Sequence, residues 1–157
     1  MVRVHPHLLQ SQRLPGIDLD SIWQERLESI RDHERHLARN GTVVLKFWLN
    51  VSAKEQRKRF LARLDRPDKN WKFSVRDVEE RQFRADYLQA YEEALNTTSR
   101  PWAPWYAIPA DDKPYARMVV AEIIVASLQR LGLEYPPVES ADKSRFEAMR
   151  ALLRRKD

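Results

Sequence analysis

Residues 42–55 read TVVLKFWLNVSAKE, and this stretch decides the fold class. Its first ten residues are almost continuously apolar and rich in β-branched and aromatic side chains. That is the pattern of a strand covered on both faces, as in a parallel sheet. Ser52-x-x-Glu55 follows at once as a capping box, in which hydroxyl and carboxylate satisfy the free N–H groups of a helix start. Strand, tight turn and helix make half of a βαβ unit, so the chain reads as α/β.

Upstream, the apolar positions Ile22, Trp23, Leu27, Ile30 and Leu37 predict a helix from Ser21, capped with Gln24, to about Asn40, with Gly41 as its stop. Before it, VRVHP (2–6) is too short to stand as a strand, and Pro15 and Gly16 break the chain. Downstream, the second helix runs to about Asp65. Phe60, Leu61 and Leu64 form its buried stripe, Arg59, Arg63 and Arg66 share another face, and Pro67 ends it. Residues 67–74 form a loop that Trp71 and Phe73 pin to the core. One helix then runs from Ser74 to about Asn96, with Phe83, Tyr87, Ala90, Tyr91 and Ala94 on its apolar face.

A Pro/Trp connector (99–104) leads into WYAIP (105–109), a second short strand. The helix over about 113–131 is apolar on most of its surface, which suits a central position, and Gly132 with Pro136 and Pro137 ends it. A short basic helix over about 142–155 closes the chain. Two or three strands among five helices cannot cover a parallel sheet well, so the inventory resembles the back half of a larger α/β domain.

Residues 54–84 hold eleven lysines and arginines against six acidic residues, which equals the net charge of +5 of the whole 157-residue chain. Charge concentrated behind a strand, broken by Pro67, Trp71 and Phe73, points to a polyanion. There is no cysteine, which removes thiol chemistry and Cys-based zinc. No segment reaches the roughly 20 apolar residues of a membrane span, and residues 1–10 lack the apolar core of a signal peptide, so the expected location is cytoplasmic. None of the three glycines belongs to a GxxxxGK[ST] or GxGxxG pattern, so phosphate handling must rest on side chains.

Arg59 and Arg63, one turn apart, can both reach one phosphate chain with bidentate guanidinium contacts. A basic segment closing over a strand end would exclude water, as a phosphoryl-transfer lid must. The plainer reading is a solvated charged face. Lys69, Trp71 and Lys72 interleave cations with an aromatic, a pattern also found in single-strand nucleic-acid platforms. His5 with His7 and His33 with His36 have spacings a metal could use, but RDHERHLAR is charged all round and reads as solvated, so no metal site is expected there. Asp111-Asp112-Lys113 follows a strand end, where open α/β sheets bind ligands; a helix N-cap accounts for the carboxylates equally well.

Two long phrases carry a family likeness: GTVVLKFWLNVSAKEQRKRFLARLDRPDKNWKFSVRDVEER (41–81) and AYEEALNTTSRPWAPWYAIPADDKPYAR (90–117). Together they closely resemble the C-terminal half of family-2 polyphosphate kinases, over about residues 2–133. The resemblance implies part of a P-loop kinase-like three-layer sandwich, with parallel strands, flanking helices and a helical lid over about 54–84. It implies Mg²⁺-dependent phosphoryl transfer between polyphosphate and nucleoside mono- or diphosphates. By the same likeness Arg59, Arg63 and Arg81 are the catalytic arginines, and Lys69, Lys72, Arg57 and Arg66 bind phosphate. Asp111, Asp112 and Lys113 stand on the nucleotide or magnesium side. The family's Walker A loop and Walker B aspartate have no counterpart in the sequence. The expectations are therefore a kinase-type part at 1–133, a tail at 134–157, and no turnover by the chain alone. Its partners would be polyphosphate, nucleotides and an upstream P-loop half or a second copy, with neither membrane nor nucleic acid. The alternative is a non-catalytic basic module that binds polyphosphate or nucleic acid.

Overall fold

A computed structural model describes residues 3–10, 12, 18 and 21–154, the side chains at 10, 141 and 144 apart. The break expected at Pro15 and Gly16, the first residue of VRVHP and the last of the basic helix lie outside these residues. The order of elements is α1 (His7–Gln10), α2 (Ile22–Arg39), β1 (Lys46–Asn50), α3 (Ala53–Leu64), α4 (Val75–Glu79), α5 (Arg84–Thr98), β2 (Trp105–Pro109), α6 (Lys113–Arg130) and α7 (Ser140–Arg154). Short 3₁₀ segments, Pro67–Lys72 and Glu80–Phe83, flank α4. Residues group into two compact units, Met1–Glu122 and Ile123–Asp157, with the boundary inside α6.

β1 and β2 form a two-stranded parallel sheet, with Lys46 opposite Trp105 and Asn50 opposite Pro109. The strand expected over 42–51 is thus confined to Lys46–Asn50, where it pairs with β2. Phe47 stacks on its cross-strand neighbour Tyr106, ring centroids 5.5 Å apart. On the face toward α5, Trp48 stacks on Tyr91 at the same separation. The small core contains Ile22, Ala103, Ile108, Ala110 and Ala116.

Beside that core, Lys46 Nζ donates to Glu34 Oε2 at 2.6 Å and to Thr98 O at 3.0 Å. Glu34 is buried, so the RDHERHLAR stretch is not solvated all round as its charge suggests. The buried pair ties α2 to β1, and a buried charge is tolerable only with such partners.

Several local expectations are corrected. Ser21 makes no side-chain cap; its hydroxyl donates to Glu25 Oε1, while Gln24 donates to Glu28. Ser52 does cap α3, accepting from Glu55 N at 3.1 Å. The stripe of α3 is not buried, since Leu61 and Leu64 are about half exposed. Trp71 does not pin its loop to the core: it is 78% exposed. The single helix expected over 74–96 is interrupted at Glu80–Phe83. No glycine or proline marks that break. It coincides with long-range bonds from Glu80, Arg81 and Arg84 that draw the chain toward the strands and the N-terminal segment. α6 runs as expected and ends before Gly132 (φ +56), as α2 ends before Gly41 (φ +82), both in the left-handed region that favours glycine. Its expected central position does not hold for residues 113–122, where Tyr115 and Met118 are exposed.

Candidate active site

The carboxyl ends of β1 and β2 lie side by side, and the turns leaving them are bound to each other. Asp111 Oδ1 accepts a hydrogen bond from Ser52 N at 2.7 Å, joining the turn after β2 to the turn after β1. Arg59, in the second turn of α3, donates to Ala110 O at 2.8 Å and Asp111 O at 3.0 Å, with its Nε on Glu55 Oε1 at 2.9 Å. The helix start set by the Ser52 cap aims Arg59 back across the strand ends. Hydrogen bonding from Ser52, and then the Arg59 and Arg84 charges, holds the Asp111 carboxyl below its ordinary range.

Two more guanidiniums arrive from the returning segment. Arg81 donates to Gln56 Oε1 at 3.2 Å and reaches Ala53 O at 3.4 Å. Arg84 donates to Val51 O at 2.8 Å. An open cavity of about 410 Å³ lies at the strand ends, lined by Asn50, Ser52, Ala53, Arg84, Ala110 and Asp111 among others. A larger one, about 560 Å³, shares Asn50 and Arg84 and continues along β1 toward Tyr87 and Tyr91.

Beside that second cavity the Glu80–Phe83 interruption is held by a polar cluster. Glu80 Oε2 lies 2.8 Å from His5 Nε2 and accepts from the Tyr87 hydroxyl at 2.8 Å. The His5 hydrogen bond, ahead of the one from Tyr87, lowers the pKa of Glu80. Burial, with Glu80 as neighbour, pushes Tyr87 up to about 12.

Of the residues expected in the site, Arg59, Arg81 and Asp111 meet at the strand ends. Asp112 caps α6, its Oδ1 accepting from Tyr115 N at 3.0 Å, and Lys113 is exposed at that helix start. The rest are spread over α3 and the 3₁₀ segment that follows it. Arg63 lies against the Phe60 ring, Arg66 pairs with Asp68, and Lys72 lies 4.8 Å from the centroid of the Trp71 ring. Arg57 is exposed and Lys69 half-buried. Arg84 and Ser52 are site residues that sequence reasoning left unassigned. Arg84 lies within the basic stretch, but nothing in its spacing separates it from its neighbours. For magnesium, Asp111 and Asp112 each have an oxygen engaged by a backbone N–H. Among the described residues no group of three His, Asp or Glu could hold a metal. These residues do not fit a magnesium site by themselves.

The sequence profile of polyphosphate kinase 2 (PPK2) matches residues 9–134. The chain belongs to that family. An ADP-polyphosphate phosphotransferase of Rhodopseudomonas palustris is 48% identical over 155 residues, covering 98% of this chain and 54% of the relative. A protein of Leptolyngbya boryana described as uncharacterized is 49% identical over 132 residues, covering 83% of this chain and 97% of its own length. Among solved structures, polyphosphate kinase 2 from Arthrobacter aurescens TC1 superposes with a TM-score of 0.79 at 35% identity, over 95% of this chain and 50% of that one. The chain therefore has the expected α/β fold of part of a family-2 polyphosphate kinase. It spans about half the length of the phosphotransferase and of the crystallised enzyme.

Proposed function

We propose that this polyphosphate kinase 2 chain supplies the lid half of a phosphotransferase that moves a phosphoryl group between inorganic polyphosphate and nucleoside mono- or diphosphates. The observation that carries the reading is the convergence of Arg59, Arg81 and Arg84 on parallel strand ends, below a basic lid. Phosphoryl transfer needs positioned positive charge more than covalent chemistry. Arg63, Lys69, Lys72, Arg57 and Arg66 then meet the polyanion from the lid. Arg59 and Arg81 position the lid base, and their remaining N–H groups face the transferring group. Asp111, Asp112 and Lys113 flank the nucleotide side. Residues 1–133 act as the kinase-type part, with 134–157 as a tail, in the cytoplasm.

Magnesium, which the family resemblance implies, would take its ligands from outside this chain. So would the phosphate cradle, whose glycine-rich loop this sequence lacks. The chain alone is therefore expected to be inactive. The test is nucleotide formation from polyphosphate and Mg²⁺ by the purified chain, alone and co-expressed with the part of the R. palustris relative that it does not align with. Turnover by the pair alone supports the reading; steady turnover by the single chain contradicts the division of labour. Salt-sensitive polyphosphate binding with no turnover in either case favours the non-catalytic basic module.

A further inference from the structure

The Glu80–Phe83 interruption is not written in its own residues. Residues 74–96 contain neither glycine nor proline, and Glu79, Glu80, Arg81 and Gln82 are all good helix formers. Local preference therefore favours one continuous α-helix, and the 3₁₀ turn is held by contacts from elsewhere. One set comes from the N-terminal segment. His5 Nε2 lies 2.8 Å from Glu80 Oε2, and the His5 ring meets the Phe83 ring edge-on, centroids 4.9 Å apart. The segment that carries His5 is itself anchored. Arg3 donates to both carboxylate oxygens of Glu93 at 2.9 and 2.7 Å and lies over the Trp23 ring, and Leu9 is buried.

The geometry of the turn links these contacts to the strand ends. In a 3₁₀ turn side chains three residues apart eclipse, whereas in an α-helix they diverge by about 60°. Glu80 and Phe83 are such a pair, and both meet His5. Arg81 and Arg84 are another. Both reach the start of α3 and the end of β1, Arg81 at Ala53 O and Gln56 Oε1, Arg84 at Val51 O. Relaxing four residues from 3₁₀ to α-helix would turn α4 against α5 by about 80° and shorten the chain between them by about 2 Å. The two arginines would then part. Glu80 gathers the bonds that prevent this, since its Oε2 also accepts from the Tyr87 hydroxyl at 2.8 Å and its Oε1 lies 3.9 Å from Arg76 Nε.

We propose that His5 is a positioning residue for phosphoryl transfer: through Glu80 it holds the 3₁₀ turn that keeps Arg81 and Arg84 aligned on the strand ends. The phosphate-handling role of the two arginines rests on the functional reading above; the part played by His5 rests on the geometry of the turn. His5 does not line the cavity at the strand ends and acts on it only through that turn. His7 is exposed, its ring 5.8 Å from that of His5, and has no part in this chain of bonds. The N-terminal segment thereby sets the geometry of a site whose nearest arginine lies 76 positions further along the chain than His5.

The experiment follows three readings in the purified chain: the Arg81 Nε–H signal by NMR, urea stability, and binding of long-chain polyphosphate. His5→Ala is expected to speed exchange of the Arg81 Nε–H by about tenfold and to move the Cα shifts of residues 80–83 to α-helical values. It should also weaken polyphosphate binding by about threefold. His5→Gln, whose amide N–H can still reach Glu80, is expected to restore the signal and the binding, and His7→Ala to leave both unaltered. In a chain that already carries Arg81→Ala and Arg84→Ala, His5→Ala should weaken binding no further, because it acts through those arginines. Lower urea stability in His5→Ala with an unchanged Arg81 signal makes His5 merely structural and overturns the proposal. Additive loss in the triple variant overturns it too, as does failure of His5→Gln to restore. Should His5→Ala not fold, Tyr87→Phe removes the other bond to Glu80 Oε2 and must move the Arg81 signal the same way; an unmoved signal overturns the proposal. A parent chain that binds no polyphosphate removes the phosphate-handling reading, and the Arg81 signal then decides by itself whether His5 places the arginines.

Discussion

Arg59 and Arg63 look like twins in the sequence, one turn apart on a basic helix, and the structure predicts that replacing them has opposite consequences. Arg59 makes hydrogen bonds to two backbone carbonyls and to Glu55, with its side chain 24% exposed. Bonds from a charged donor contribute about 1.5–3 kcal/mol each when well shielded, and those of a partly solvated group contribute less. Arg59→Ala should therefore cost about 2–3 kcal/mol. With a urea slope of about 2 kcal/mol/M for a domain of this size, the midpoint falls by about 1 M. Arg63 has no such bonds, only the Phe60 ring beneath it, so Arg63→Ala should cost less than about 0.5 kcal/mol. Its loss should instead weaken polyphosphate binding and reduce the salt dependence of that binding. Urea titrations followed by tryptophan fluorescence, together with binding at three salt concentrations, separate the two residues. Equal loss of stability in both variants would refute the assignment of Arg59 as the tie between α3 and the strand ends.

The buried pair gives a second test: Glu34→Ala strands Lys46 and should cost about 3–5 kcal/mol, whereas Glu34→Leu combined with Lys46→Met should be near neutral, both read by urea titration. The lowered pKa of Asp111 means that its contribution is present above the ordinary carboxylate range and is lost as pH falls through the folded-state value. Asp111→Asn should accordingly flatten the acid limb of a plot of stability against pH. Tyr87 behaves oppositely, because its raised pKa makes a contribution that is complete below about 10 and is lost as pH rises toward about 12; a difference absorbance titration against Tyr87→Phe should show one phenol ionising near 12. Trp71→Ala should leave the unfolding free energy, read by urea titration, within about 0.5 kcal/mol of the parent, since the ring is 78% exposed.

Much of the fold was legible because it is written in local chemistry. The Ser52 cap, the WYAIP strand and the stop at Gly132 each depend on a few adjacent residues, and each appears where the pattern places it. The interrupted helix before α5 was not legible, since residues 74–96 contain no breaker and the interruption accompanies bonds to His5, Ala53 and Val51, up to 75 positions away. The site divides in the same way. A basic cluster behind a strand indicated a polyanion, but Arg59 and Arg63 cannot be distinguished until the turn after β2 is in place to accept from one of them.

The sequence by itself determined the α/β class, the lack of a glycine-rich phosphate motif and the concentration of charge at residues 54–84, because composition and periodicity do not depend on what lies nearby. Only the tertiary structure decided which arginines close on the strand ends and that Glu34 is buried against Lys46. The run TVVLKFWLNV encodes a strand fit for the middle of a sheet. Which of its backbone groups are satisfied depends on where β2 and Arg84 come to rest. Backbone hydrogen bonds on a strand are made to neighbours in space, and neighbours in space are not specified by adjacent residues.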